Sequence, residues 1–124
     1  MGRSGTPRRR RLSRSGDFDR VFRDGRSHGN RYLVVYAFPS ADDTEAGPRL
    51  GISVGRKIGA ATERNAVKRA LREAFWALVE EDEARDVVIV ARPDAAALVE
   101  RGGAAALAEH LAPLLRAAGE ERST

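Results

Sequence analysis

The sequence predicts an α+β protein, a small two-layer α/β sandwich in which one sheet is packed by helices. Three observations carry that expectation. Residues 31–38 and 49–54 alternate apolar side chains at period two, residues 62–81 repeat them at the helical period, and Val87-Val88-Ile89-Val90 is continuously apolar but too short for a helix. A chain of 124 residues suits one domain, and 42% hydrophobic content supplies one core. No internal repeat is visible.

Residues 1–11 are rich in Arg, Gly, Ser and Pro with almost nothing apolar, so they are expected to form a disordered basic arm ahead of a single domain over 12–118 and a disordered tail over 119–124. A short helix should follow the arm, with Phe18, Val21 and Phe22 on one face, Ser15 or Asp17 as N-cap and Gly25 as the stop. Arg31 to Phe38 reads as a strand with Tyr32, Val34, Tyr36 and Phe38 on one side and Leu33, Val35 and Ala37 on the other. Ser40 to Pro48 has a loop composition, and Arg49 to Val54 returns as a second strand that should pair with the first as a hairpin.

Gly55-Arg56-Lys57-Ile58-Gly59 is a flexible basic turn, and a helix runs from about Thr62 to Glu81. With Arg64 at zero and 100° per residue, Val67, Leu71, Ala74, Phe75 and Leu78 fall between about 280° and 20°. Lys68, Arg72, Asn65 and Arg69 fall between about 40° and 140°, so a core-facing stripe adjoins a cationic one. Asp86 to Ala91 reads as a central strand buried on both faces. Asp94 caps a helical turn to Glu100, Gly102-Gly103 breaks it, and Leu107, Leu111, Leu114 and Leu115 mark a final helix that Pro113 should kink.

The net charge of +4 conceals a segregated distribution. Residues 1–14 hold six Arg and no acid, residues 49–72 hold seven basic and one acidic residue, and residues 73–124 hold five basic and eleven acidic ones. Dense local blocks of positive charge are what an anionic polymer requires, because phosphate contacts are local and additive. Twenty of the 22 cations are Arg, whose planar fork suits phosphate and base stacking, although GC-rich coding produces the same bias.

Most catalytic chemistries find no support. With no cysteine, disulfide scaffolds, thiolate nucleophiles and Cys-ligated metals are excluded, and a cytoplasmic protein is expected. No apolar stretch suits a signal peptide or a membrane span, so no membrane partner is expected. His28 and His110 lack metal-binding spacing and read as non-catalytic. Gly51, Gly55 and Gly59 lack the endings of a nucleotide-binding loop, and Glu80-Glu81-Asp82-Glu83 reads as a solvated run. No catalytic or metal-ligating residue is assigned.

The strong signal is Arg64-Asn65-Ala66-Val67-Lys68-Arg69-Ala70-Leu71-Arg72, with Arg56 and Lys57 just before it. An ordinary solvated helix would intersperse acids at i+3 or i+4, and between Arg64 and Arg72 there are none, so the stripe repels itself unless an anion is present. A second signal is the grouping of Phe18, Phe22, Tyr32, Tyr36 and Phe38. Core packing accounts for most of these rings; a partly uncovered sheet face would instead offer a stacking platform for unpaired bases.

The succession Phe18-x-x-Val21-Phe22-x-x-Gly25, Leu50-Gly51-Ile52-Ser53-Val54-Gly55-Arg56-Lys57-Ile58-Gly59 and Arg64-Asn65-x-Val67-Lys68-Arg69-x-Leu71-Arg72-Glu73 with Phe75 resembles the protein component of bacterial ribonuclease P. The likeness spans roughly residues 12–118. Ala66 stands where that family usually has a third motif Arg, Gly55 where it usually has Ser, and Ala60-Ala61-Thr62 where Asn-Ala-Val is common.

The resemblance implies a subunit of a ribonucleoprotein endonuclease that removes the 5′ leader from precursor tRNA. The partners it implies are the catalytic ribonuclease P RNA and precursor tRNA, with Mg²⁺ held mainly by RNA phosphates and the protein monomeric when free. It also implies an unusual left-handed βαβ crossover, where right-handed connections are the default. By the same resemblance Arg56, Lys57, Arg64, Asn65, Lys68, Arg69 and Arg72 contact the catalytic RNA, while Phe18, Phe22 and Tyr36 line the cleft that receives the leader. The alternatives are a ribosomal or general RNA-binding protein without a processing role, and a protein-only nuclease, for which no carboxylate and histidine cluster is available.

Overall fold

The apolar run Val87–Val90 lies in the middle of the sheet, where a strand with no polar face to offer solvent belongs. The computed structural model describes residues 10–11, 26–39, 48–79 and 85–123. Its strands are β1 (Arg10–Arg11), β2 (Arg26–Gly29), β3 (Leu33–Pro39), β4 (Arg49–Ser53) and β5 (Arg85–Ala91), in the order β1-β4-β5-β3-β2. Helix α1 spans Ala61–Leu78 and helix α2 spans Asp94–Ser123. The architecture is the expected α+β sandwich.

The hairpin expected between Arg31–Phe38 and Arg49–Val54 does not form. β3 pairs antiparallel with β5, setting Val35 opposite Ile89, while β4 pairs parallel with β5, setting Leu50 opposite Val87. β5 is apolar on both faces and so takes the place between them. A parallel neighbour needs a crossover rather than a tight turn, and α1 supplies it.

Two further strands complete the edges. Arg10 and Arg11, expected to belong to the basic arm, pair in parallel with Arg49 and Leu50, because backbone groups can join a sheet edge whatever the side chains are. Arg26–Gly29, for which no strand was expected, pairs antiparallel with β3. Edge strands show no apolar alternation when neither face is fully covered, and Arg26, Ser27 and Gly29 are exposed.

Asn30 explains why β3 starts at Leu33 rather than Arg31. Its Oδ1 accepts the backbone N–H groups of Tyr32 and Leu33, both at 2.9 Å, and its Nδ2 donates to the His110 carbonyl at 2.9 Å. This turn removes Tyr32 from the face it was expected to share with Tyr36. The Tyr32 ring instead meets the His110 ring of α2 at 4.5 Å, beside the core. The Arg31 guanidinium lies 5.8 Å from the Tyr32 ring centre and its Nε donates to Asp94 at 2.8 Å. That hydrogen bond, then the charge of Asp94, raises the Arg31 pKa above its ordinary value.

Leu33, Val35, Ala37, Leu50, Val87 and Ile89 form the sheet side of the core, packed with Val67, Leu71 and Phe75 of α1 and Leu107 and Leu111 of α2. By register the other sheet face carries Tyr36 opposite Val88 and Val34 opposite Val90. α1 ends at Leu78 rather than Glu81. Leu78, expected in the core, is 39% exposed at that last turn, and Val79 is buried in its stead.

In α2 the break falls at Gly103, with φ 63° and ψ −151°, as the Gly102-Gly103 pair predicts. Pro113 lies within α2, where Gly103 is the residue with non-helical dihedrals. α2 also runs through residues expected to form the tail, ending at Ser123 because extending an existing helix is far easier than nucleating one. The short helix expected around Phe18 and Phe22, the rest of the expected arm, the loop expected from Ser40 and the run at Glu80 lie outside the described residues. No helix among the described residues is long and apolar enough to cross a membrane.

Candidate nucleic-acid interface

The cationic stripe starts at the exit of β4. There Gly55 is extended, Arg56–Ile58 forms one 3₁₀ turn, and Gly59 adopts φ 146° and ψ −158°, a region essentially restricted to glycine. Ile58 is buried in the core, which anchors the turn and leaves Arg56 and Lys57 exposed. Ala60 has no side-chain acceptor with which to cap α1. Glu63 instead reaches back, its Oε1 accepting the Ala60 backbone N–H at 2.7 Å, half of a capping box.

α1 then places its side chains as the helical period predicts. Val67, Ala70, Leu71, Ala74 and Phe75 are buried, Asn65, Arg69 and Arg72 are exposed, and Arg64 and Lys68 are half-buried at the margin. Among the described residues none of Arg56, Lys57, Arg64, Lys68, Arg69 and Arg72 makes an ion pair. The Nε of Arg64 is buried with no hydrogen-bond partner. Concentrated positive charge without carboxylate partners is a surface short of anions, and a polyanion laid along it would relieve the repulsion.

Of the departures noted around this motif, the one at Gly55 is accommodated. Gly55 has ordinary extended dihedrals, and a Cβ there would meet nothing within 4 Å, so a serine would fit without disturbing the turn. Ala66 is half-buried within α1.

The expected aromatic site is only partly described. Tyr36 is half-buried on the sheet face that carries Val34, Val88 and Val90, with Ser27 of β2 opposite it in register. Phe18 and Phe22 lie outside the described residues, as does the side chain of Phe38. Tyr32 does not belong to this face.

One structural feature escaped the sequence reading. Arg49 of β4 and Asp86 of β5 are register partners joined in a two-pronged ion pair, Nε to Oδ1 at 2.9 Å and Nη2 to Oδ2 at 2.8 Å. Asp86 is fully buried and Arg49 retains 19% of its side-chain exposure. A charged residue before each apolar run hinted at the pair, but no spacing rule links residues on different strands. It fixes β4 against β5, and thereby the start of the basic turn.

The family model for Ribonuclease P matches residues 6–118. The chain belongs to the ribonuclease P protein family. It is 44% identical over 82 residues to the ribonuclease P protein component of Streptococcus pyogenes serotype M5, covering 66% of this chain and 66% of that protein. With the component of Staphylococcus haemolyticus it shares 42% over 85 residues, 68% of this chain and 72% of the relative. The chain thus spans about two thirds of the length of these ribonuclease P relatives. Among solved structures, the Staphylococcus aureus RNase P protein superposes with a TM-score of 0.73 at 33% identity, covering 87% of this chain and 94% of that one. The Thermotoga maritima RNase P protein gives 0.70 at 34%, covering 87% and 97%. The sandwich described above is therefore the ribonuclease P protein fold.

Proposed function

We propose that this chain is the protein subunit of a ribonuclease P ribonucleoprotein, assisting a catalytic RNA in endonucleolytic removal of the 5′ leader from precursor tRNA. The observation that carries the reading is the α1 stripe with its preceding turn, whose six cations have no carboxylate partner among the described residues. Arg56, Lys57, Arg64, Asn65, Lys68, Arg69 and Arg72 contact the catalytic RNA, neutralising phosphates and fixing the orientation of the complex. Tyr36, with Phe18 and Phe22, lines the cleft that receives the single-stranded leader, where aromatic faces stack on unpaired bases. The protein works in the cytoplasm and is monomeric when free.

Mg²⁺ is the metal this chemistry calls for. The described residues gather no group of three or more His, Asp or Glu side chains able to hold it, so no step is assigned to a metal held by this chain. Held by RNA phosphates rather than by residues of this chain, Mg²⁺ would supply activation of water and stabilisation of the leaving oxygen, while the protein contributes positioning and charge neutralisation.

The test is the salt dependence of binding to a ribonuclease P RNA transcript. Reversing two stripe charges, Lys68→Glu with Arg72→Glu, should weaken binding and reduce the slope of log affinity against log salt by about 2, roughly one per lost phosphate contact. An unchanged slope would show that the stripe does not carry the RNA.

A further inference from the structure

Trp76 lies on α1 one turn beyond Arg72, about 6 Å along the helix axis. On the wheel with Arg64 at zero it falls at about 120°, inside the interval occupied by Lys68, Arg72, Asn65 and Arg69 and far from the stripe of Val67, Leu71 and Ala74. Its burial differs accordingly. Phe75, its immediate neighbour, is fully buried, whereas Trp76 is half-buried, resting against the core while keeping part of its surface in solvent. The two rings meet edge to face at 4.8 Å, which holds the indole in a defined orientation at the end of the cationic row.

We infer that Trp76 is an RNA-binding residue that stacks on an unpaired base of the RNA bound along α1. The inference deepens the proposed function and rests on the α1 stripe being the RNA surface. Phosphates gripped by Arg69 and Arg72 bring the adjoining nucleotide within reach of the next turn of the helix, and an amphipathic indole there offers a π-face to any base. Stacking of this kind adds affinity without neutralising a phosphate. Loss of Trp76 therefore weakens binding at every salt concentration and leaves the salt slope intact, the opposite signature to loss of Lys68 or Arg72.

Trp76 is the only tryptophan in the chain, so its fluorescence reports on this position alone. The experiment titrates a ribonuclease P RNA transcript into the full chain, following tryptophan emission and, separately, RNA mobility. Alongside it, Trp76→Phe, Trp76→Leu and Trp76→Ala are compared at several salt concentrations, with thermal unfolding recorded for each. The expected result is quenching of Trp76 in step with binding, near-normal affinity for Trp76→Phe, and affinity lowered about 5- to 150-fold for Trp76→Leu and Trp76→Ala with unchanged salt slope. Trp76→Leu preserves apolar contact with the core, so its loss of affinity with a normal unfolding temperature separates stacking from folding. Normal affinity of Trp76→Leu, or binding with unchanged emission, overturns the inference while leaving the α1 surface standing. Absence of RNA binding by the unaltered chain overturns the inference and the reading beneath it together.

Discussion

Cutting the Arg49–Asp86 pair should unsettle the sheet, and the two halves of the pair should not cost the same. Arg49→Met removes the guanidinium from a carboxylate with no exposure of its own, the arrangement in which breaking a buried ion pair costs about 3–5 kcal/mol. Asp86→Asn leaves the charge on a guanidinium that is 19% exposed and can turn toward water along its apolar stem, so its cost should sit near the low end, about 3 kcal/mol. Whole domains are stable by only about 5–15 kcal/mol, so either change is severe. At roughly 4 °C per kcal/mol for a domain of this size, Arg49→Met should lower Tm by about 12–20 °C. The double variant, which removes both charges, should cost less than the two singles together by about 2 kcal/mol, since neither partner is stranded. Urea unfolding of the four proteins, with matching m-values as the check on two-state behaviour, measures the cycle. Additive costs, or single variants within about 1 kcal/mol of the parent, would refute the claim that this pair locks β4 to β5.

Other expectations follow from single residues. Gly59→Ala should destabilise by about 1–3 kcal/mol in thermal unfolding, because its φ of 146° and ψ of −158° suit glycine alone and a Cβ would press on the Glu63 carboxylate that holds the start of α1. Asn30→Ala should cost about 2 kcal/mol or more by stranding the Tyr32 and Leu33 amides and releasing the His110 carbonyl, while Asn30→Asp, which keeps the acceptor, should cost less. Tyr36→Ala should weaken binding of leader-bearing precursor tRNA and leave mature tRNA binding nearly unchanged; equal loss for both would make Tyr36 purely structural.

The elements with strong periodicity were legible in the sequence. The wheel of α1 foretold the burial of Val67, Leu71, Ala74 and Phe75 and the cationic row beside them, because one face of a surface helix must enter the core whatever it packs against, but it also placed Leu78 in the core, where the last turn leaves it exposed. Val87–Val90 announced a central strand for the same reason, and Gly102-Gly103 announced the break in α2. Pairing was not legible. That β5 separates β3 from β4 depends on a competition between strands that are adjacent in space but not in sequence, and local pattern is silent about it. Arg26–Gly29 went unseen because an exposed edge strand is held by backbone hydrogen bonds, which leave no trace in side-chain hydropathy. Tyr32 was misplaced for a related reason, since Asn30 ends the alternation through two backbone hydrogen bonds that period-two counting ignores. The candidate interface was legible in its charges, and the Arg49–Asp86 lock beneath it was not, because it joins two strands whose pairing had first to be known.

Processing of precursor tRNA at low Mg²⁺ tests the central claim most directly, using ribonuclease P RNA alone, this protein alone, and the two together. Only the mixture should remove the 5′ leader. Tight RNA binding without restored cleavage would make the chain a general RNA-binding protein, and cleavage by the protein alone would place the active site in this chain; either result contradicts a role as the assisting subunit of a catalytic RNA.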